Sequence, residues 1–218
     1  MTKKEKAGRI VEALRRLYPE AVCSLTYSDP LQLLIATRLS AQCTDARVNL
    51  VTPALFARFP TLDDFAAAQP EQVAELIRSC GLYQTKARDI VAMARVLKER
   101  YGGVIPDTVE ALTALPGVGR KTANLVCGDI YHVPGVVVAD THCIRIAGRL
   151  GLCDSADPRK VEMQLRAVLP PEESNDFCHR LVLFGRAVCK AQNPACDACV
   201  LRAEGLCGGL KKPELRRS

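Results

Sequence analysis

The sequence predicts an all-α protein, and three observations carry that prediction. Apolar residues recur at three- and four-residue spacing in one segment after another, the period of a helix with one buried face. Proline and glycine punctuate the segment boundaries, proline where helices start and glycine where they stop. Only Val136-Val137-Val138 is β-branched enough to pass for a strand, and it is too short to form a sheet without partners elsewhere.

Each element has its own warrant. Ile10, Val11, Leu14 and Leu17 form the first apolar stripe, with charged residues between them. Pro30 opens a second helix carrying Leu31, Leu34, Ile35 and Leu39, expected to run to about residue 41. A third follows Thr44, with Val48, Val51 and Leu55. Pro70 opens a fourth, with Val73, Leu76 and Ile77, and Gly81 is its expected stop. Residues 85–100 carry Ile90, Val91, Ala94 and Leu97 and end at Gly102-Gly103. Asp107 followed by Glu110 signals a helix start over 108–114. Further helices are expected at about 121–130, 141–150, 158–168 and 174–187, joined by short connections.

The 218 residues, 48% of them hydrophobic and 25% charged, suffice for a sizeable core in one or two domains and exclude a disordered or fibrous chain. No stretch approaches the roughly 18 uninterrupted apolar residues of a membrane span, so no membrane partner is expected. The charged start has no apolar signal core behind it, which points away from secretion. The net charge of +6 is unevenly placed. Residues 1–21 hold 6 basic and 3 acidic groups, residues 135–218 hold 13 and 10, and the middle is neutral. That balance permits nucleic-acid binding without demanding it.

Eleven cysteines cannot all pair internally, and in a non-secreted chain they are expected as reduced thiols or metal ligands. Cys189, Cys196, Cys199 and Cys207 form the pattern C-x6-C-x2-C-x7-C. Four thiolates so close would repel one another unless a cation neutralised them. Donor chemistry alone allows either a four-thiolate zinc site or an iron–sulfur cluster.

Leu115-Pro116-Gly117-Val118-Gly119 joins two of the predicted helices. Pro116 ends the first helix, and both glycines are expected to relax the backbone and expose it. Val118 is the apolar plug that holds the turn against the core. The free N–H groups opening the next helix, with Arg120 and Lys121 beside them, suit a phosphate.

The full string Leu-Pro-Gly-Val-Gly-Arg-Lys-Thr-Ala resembles the helix-hairpin-helix of the endonuclease III family of DNA glycosylases. Leu39-Ser40-Ala41-Gln42-Cys43-Thr44-Asp45, Gly81-Leu82-Tyr83 with Lys86-Ala87, Val138-Ala139-Asp140-Thr141-His142 and the cysteine cluster resemble its other motifs. All occur in the family's order and together cover roughly residues 20–208.

The resemblance implies two helical lobes. Residues 22–134 would form a helical barrel domain with the hairpin motif at about 108–131. Residues 1–21 and 135–218 would form an iron–sulfur domain, bringing the two basic ends of the chain into one lobe. DNA and the active site would lie between the lobes. The implied activity is a bifunctional glycosylase and abasic-site lyase acting on damaged duplex DNA, with oxidised pyrimidines the expected lesions. The implied setting is a cytoplasmic, nucleoid-associated monomer.

Lys121 would attack the sugar and Asp140 would assist. A lysine is a nucleophile only when neutral, and its ordinary pKa of about 10.4 disfavours that at neutral pH. A helix N-terminus and partial burial of Lys121 would both lower it. Asp140, placed before a helix, is by position a helix cap, and it can also stabilise positive charge developing on a sugar. Gln42 and Leu82 would fill the gap left by a flipped base. Leu115, Gly117, Val118, Gly119, Arg120, His142 and Lys190 complete the implied DNA contacts.

The resemblance also implies a [4Fe–4S] cluster on Cys189, Cys196, Cys199 and Cys207. The family's last gap is commonly five residues and is seven here, so Val200–Leu206 must bulge. Two alternatives stay open at this point. One is a glycosylase that removes the base without nicking; the other is a non-catalytic DNA-binding module with a structural zinc site.

Overall fold

A computed structural model describes residues 1–209. Helices α1 (Lys3–Leu17), α2 (Pro30–Ser40), α3 (Asp45–Arg58), α4 (Leu62–Ala67), α5 (Pro70–Leu76) and α6 (Tyr83–Tyr101) are followed by α7 (Val109–Thr113), α8 (Arg120–Asp129), α9 (Thr141–Arg149), α10 (Pro158–Val168), α11 (Ser174–Ala187) and α12 (Val200–Ala203). Single 3₁₀ turns occupy Pro171–Glu173 and Cys196–Ala198, and no strand occurs among the described residues. The chain is all-α, and it divides into two compact units, Cys23–Tyr131 and Met1–Val22 with the described residues from His132 on.

In the unit Cys23–Tyr131, α2 is the central helix. Asp29 caps it and Pro30 occupies its first turn. Leu33, Leu34, Ile35, Ala36 and Leu39 are all fully buried, because α3, α6 and α8 pack around it. Such a helix reads as apolar nearly all round rather than striped. The 19-residue α6 packs against α2, α4 and α5 and ends at Gly102, whose φ of 59° lets the chain turn off.

Three local expectations are corrected here. Helix α4 lies outside the expected helices: it is six residues long, buries chiefly Phe65, and is too short to show a period. Its signal was the capping box of Thr61 and Asp64. Helix α5 stops at Leu76 instead of running to Gly81, and residues 77–82 form a separate turn in which Cys80 N–H donates to the Ile77 carbonyl (2.9 Å). Helix α7 is capped by Thr108, whose hydroxyl accepts from Ala111 N–H at 3.3 Å; Asp107 stands one residue too early to reach that free donor.

In the other unit, α1 opens on a capping box of Thr2 and Glu5 and buries Ala7, Ile10, Val11, Ala13 and Leu14. Leu17, expected on the same stripe, is 43% exposed at the end of the helix, where the chain turns away at Tyr18. Helix α1 packs on α10, α11 and α12. Buried Arg180 on α11 fastens the N-terminal segment: it donates to the Tyr18 carbonyl (3.3 Å) and pairs with Glu173 (2.7 Å) and Asp176 (3.1 Å). Val136, Val137 and Val138 are buried but form no strand, since α11, not another extended segment, meets them: Val138 N–H donates to Cys178 Sγ at 3.3 Å.

Candidate functional site

The hairpin between α7 and α8 is built as its composition requires. Leu115 and Val118 are buried, while Gly117 and Gly119 are exposed. Gly117 has φ 72°, the left-handed region, and a Cβ there would stand 2.7 Å from both Arg38 Nε and Asp89 Cβ. Those two residues form an ion pair between α2 and α6, with Arg38 Nε and Nη2 at 3.0 and 2.5 Å from Asp89 Oδ2. The hairpin tip therefore rests directly on a charged seat. Gly119 differs from expectation. Its φ of −89° is ordinary, and no atom lies within 4 Å of where its Cβ would be. What glycine does there is leave the N-terminus of α8 without a capping side chain. Arg120 and Lys121 are the first two residues of that helix. Lys121 is exposed, so the partial burial expected for it is absent.

Gln42 and Leu82 share an unusual backbone. Both are non-glycine residues in the left-handed region, with φ 53° and 49°. Both are exposed, Leu82 by 60%. Helix α2 finishes at Ser40, one residue before the expected end, and Gln42 lies in the turn that follows. Leu82 is not core packing but the residue that opens α6. The two turns touch: a Cβ on Gly81 would lie 3.8 Å from the Gln42 carbonyl oxygen.

Asp140 caps α9, its Oδ1 accepting from Cys143 N–H at 2.7 Å. Its Oδ2 faces His142 Nδ1 at 3.7 Å, so one carboxylate oxygen is committed to the cap and the other is not. Burial pushes the His142 imidazole below its ordinary pKa; Asp140 opposes this, while Arg145 and Arg186 add to it. Gly185 on α11 leaves room for the ring, since a Cβ there would stand 2.5 Å from His142 Cδ2.

Cys189, Cys196, Cys199 and Cys207 border one common cavity, with Arg149, Leu150 and Leu201 among its walls. The longer last gap is absorbed by α12 and a turn at Gly205 (φ 69°). The Leu201 carbonyl accepts from both Leu206 and Cys207 N–H, at 2.8 and 3.1 Å, and Leu201 and Leu206 are fully buried. That closure returns Cys207 to the cavity. Arg149 Nη1 donates to Cys189 Sγ (3.4 Å) and to the Lys190 carbonyl (2.7 Å), and Nη2 to the Ala191 carbonyl (2.9 Å). Arg145 donates to the Cys189 carbonyl at 3.2 Å. Burial raises the Cys189 thiol, and Arg149 counters it. Lys190 itself is exposed. Among the described residues no three metal-binding side chains gather closely enough for one ion.

Arg38, Lys86, Asp89, Arg145 and Arg149 escaped the sequence-based set of site residues. Arg145 and Arg149 are four apart on one helix, a spacing that reads equally as a solvated face. Arg38 and Asp89 are 51 residues apart and carry no linear signal.

Residues 35–171 match the HhH-GPD superfamily of base excision DNA repair proteins. Endonuclease III of Synechocystis sp. is 44% identical over 200 residues, covering 92% of this chain and 91% of that protein. A solved non-covalent Endonuclease III–DNA complex superposes with a TM-score of 0.87 at 42% identity, covering 95% of this chain and 96% of the other. A trapped Endonuclease III–DNA covalent intermediate does so at 0.86 and 42%, covering 95% and 97%. These matches span most of the chain in both sequence and fold, and the chain belongs to the Endonuclease III family of the HhH-GPD superfamily.

Proposed function

We propose that the protein is a bifunctional DNA glycosylase and abasic-site lyase acting on damaged bases, oxidised pyrimidines above all, in duplex DNA. The observation that carries this reading is Lys121, an exposed amine in the first turn of the helix that follows the hairpin, in a chain 42% identical to one trapped covalently on DNA. A covalent intermediate calls for a nucleophile, and an amine supplies one that remains reactive after the first step.

In this reading the Lys121 Nζ lone pair attacks C1′ of the damaged nucleotide. The bond from C1′ to the base breaks, and the base leaves with the bonding pair and takes up a proton. Ring opening gives an iminium ion between Nζ and C1′. Loss of a C2′ proton then expels the 3′ phosphate, which cuts the strand by β-elimination. Asp140, with one oxygen fixed by the α9 cap, places negative charge where the sugar becomes positive.

Reaching the sugar requires the nucleotide to leave the stack, at a cost of a few kcal/mol. Gln42 and Leu82 fill the gap, a polar side chain and an apolar wedge on two touching turns. The hairpin N–H groups, Arg120 and Lys190 hold phosphates, which is a sequence-independent grip.

The four cysteines fit an iron–sulfur cluster. They border one cavity and supply the four thiolates that such a cluster takes. A bound [4Fe–4S] cluster would serve as a cross-link that pins the loop carrying Lys190.

Borohydride trapping on DNA containing an abasic site tests the central claim. Wild-type protein is expected to form a covalent adduct, and Lys121→Ala is expected to form none while keeping its salt-dependent DNA binding. An undiminished adduct from folded Lys121→Ala would overturn the assignment. Base release with no adduct from wild type would mark a glycosylase without lyase activity.

A further inference from the structure

Lys86 is a fully buried lysine, the third residue after Tyr83 in the first turn of α6. A charge so placed is costly unless it is well bonded. Its ammonium group donates to two main-chain carbonyls, Leu39 at 2.7 Å and Cys80 at 2.6 Å. Its own N–H donates to the Leu82 carbonyl at 3.0 Å. No carboxylate bonds to it among the described residues.

The positions of those acceptors matter. Leu39 is next to last in α2, so its carbonyl is among those the helix leaves unpaired, and a cation there is favoured by the helix dipole. Three residues later the chain reaches Gln42. Cys80 stands two residues before Leu82. One ammonium group thus ties the base of both turns, and the two turns already meet where Gly81 approaches the Gln42 carbonyl. Gln42 and Leu82 both hold left-handed backbones that side chains resist, and such strain persists only where the surroundings over-determine it. Lys86 reaches both turns with two hydrogen bonds, beside a thiol contact between Cys43 and Cys80. Burial pulls its pKa below the ordinary lysine value, while the neighbouring thiols of Cys43 and Cys80 act in the opposite direction.

We propose that Lys86 is a positioning residue for base flipping: it holds Gln42 and Leu82 together in the arrangement that enters the duplex, and it takes no part in the chemistry at the sugar. This rests on the reading of Gln42 and Leu82 as the gap-filling pair. It separates Lys86 from Lys121 by step, since one acts on extrusion and the other on bond making.

The test compares two substrates for the full-length protein. One is duplex DNA with a single oxidised pyrimidine, which must be flipped. The other is single-stranded DNA with a preformed abasic site, where no base needs to leave a stack. Lys86→Met is expected to slow single-turnover excision from the duplex by at least about tenfold, and to leave β-elimination on the single strand within about twofold. Lys86→Arg, which keeps charge and donors, is expected to recover part of the duplex rate. Equal loss on both substrates, or no loss on either, would overturn the proposal. If Lys86→Met does not fold, Lys86→Arg carries the same comparison: its displaced donors are then expected to slow the duplex reaction alone, and an even effect refutes the assignment.

A double-mutant comparison separates this inference from the reading beneath it. If Gln42→Ala with Leu82→Ala leaves duplex excision unchanged, the gap-filling reading fails. If that pair slows excision and Lys86→Met adds its full effect on top, the gap-filling reading stands and the role of Lys86 does not.

Discussion

Gly117→Ala is the most informative single change in the hairpin. Two costs are set by its surroundings. An alanine at φ 72° sits in the left-handed region, which costs about 1 kcal/mol. Its Cβ would also stand 2.7 Å from Arg38 Nε and from Asp89 Cβ. Arg38 could swing aside, but Asp89 Cβ is anchored to α6, so either the hairpin lifts or the Arg38–Asp89 pair separates. The side chains of that pair are only 15% and 26% exposed, and losing charged hydrogen bonds in such a place costs about 1–3 kcal/mol. The expected destabilisation is therefore about 2–4 kcal/mol in urea or thermal unfolding. A lifted hairpin should also weaken binding to abasic duplex, by about tenfold if about 1.4 kcal/mol of the strain reaches the bound state. Arg38→Ala supplies the control. With the guanidinium gone, Gly117→Ala should cost about 1 kcal/mol less than it does in the wild type. A destabilisation under about 0.5 kcal/mol, fully additive with Arg38→Ala, would refute the idea that the hairpin is seated on this pair.

Three further outcomes are expected. Gly185→Ala should destabilise by about 1–3 kcal/mol and lower excision, because the added Cβ meets His142 Cδ2 at 2.5 Å and Arg145 Nη2 at 3.0 Å where α9 and α11 cross; denaturation and single-turnover excision read the two effects. His142 has a lowered pKa in the folded chain, so the unfolded chain takes up its proton first as pH falls; stability should decline below the ordinary histidine pKa of about 6.5, and His142→Gln should flatten that acid-side decline in urea titrations across pH. Arg149→Ala removes donors to Cys189 Sγ and to the Lys190 and Ala191 carbonyls, and should lower the iron retained per chain and the visible absorbance that accompanies it.

What the sequence by itself determined is local. Helix periodicity, the proline openings at Pro30 and Pro70 and the cap at Asp140 are all decided within a few residues of chain, so the all-α class and most helices were legible. Short-range competition produced the misses. Thr108 outcompeted Asp107 for one free N–H, and α4 is too short to show a period. The motif residues Gln42, Leu82, Lys121, Asp140 and the four cysteines were also legible as linear patterns. Their settings were not. That Gln42 and Leu82 share a strained backbone and adjoining turns depends on α2 and α6 lying side by side. The seat of Arg38 and Asp89 under Gly117, the space Gly185 leaves for His142, and the reach of Lys86 to Leu39 all join residues between 28 and 79 positions apart. Steric exclusion and buried hydrogen bonds act between neighbours in space, whatever their separation along the chain, and only the tertiary structure says which residues those are.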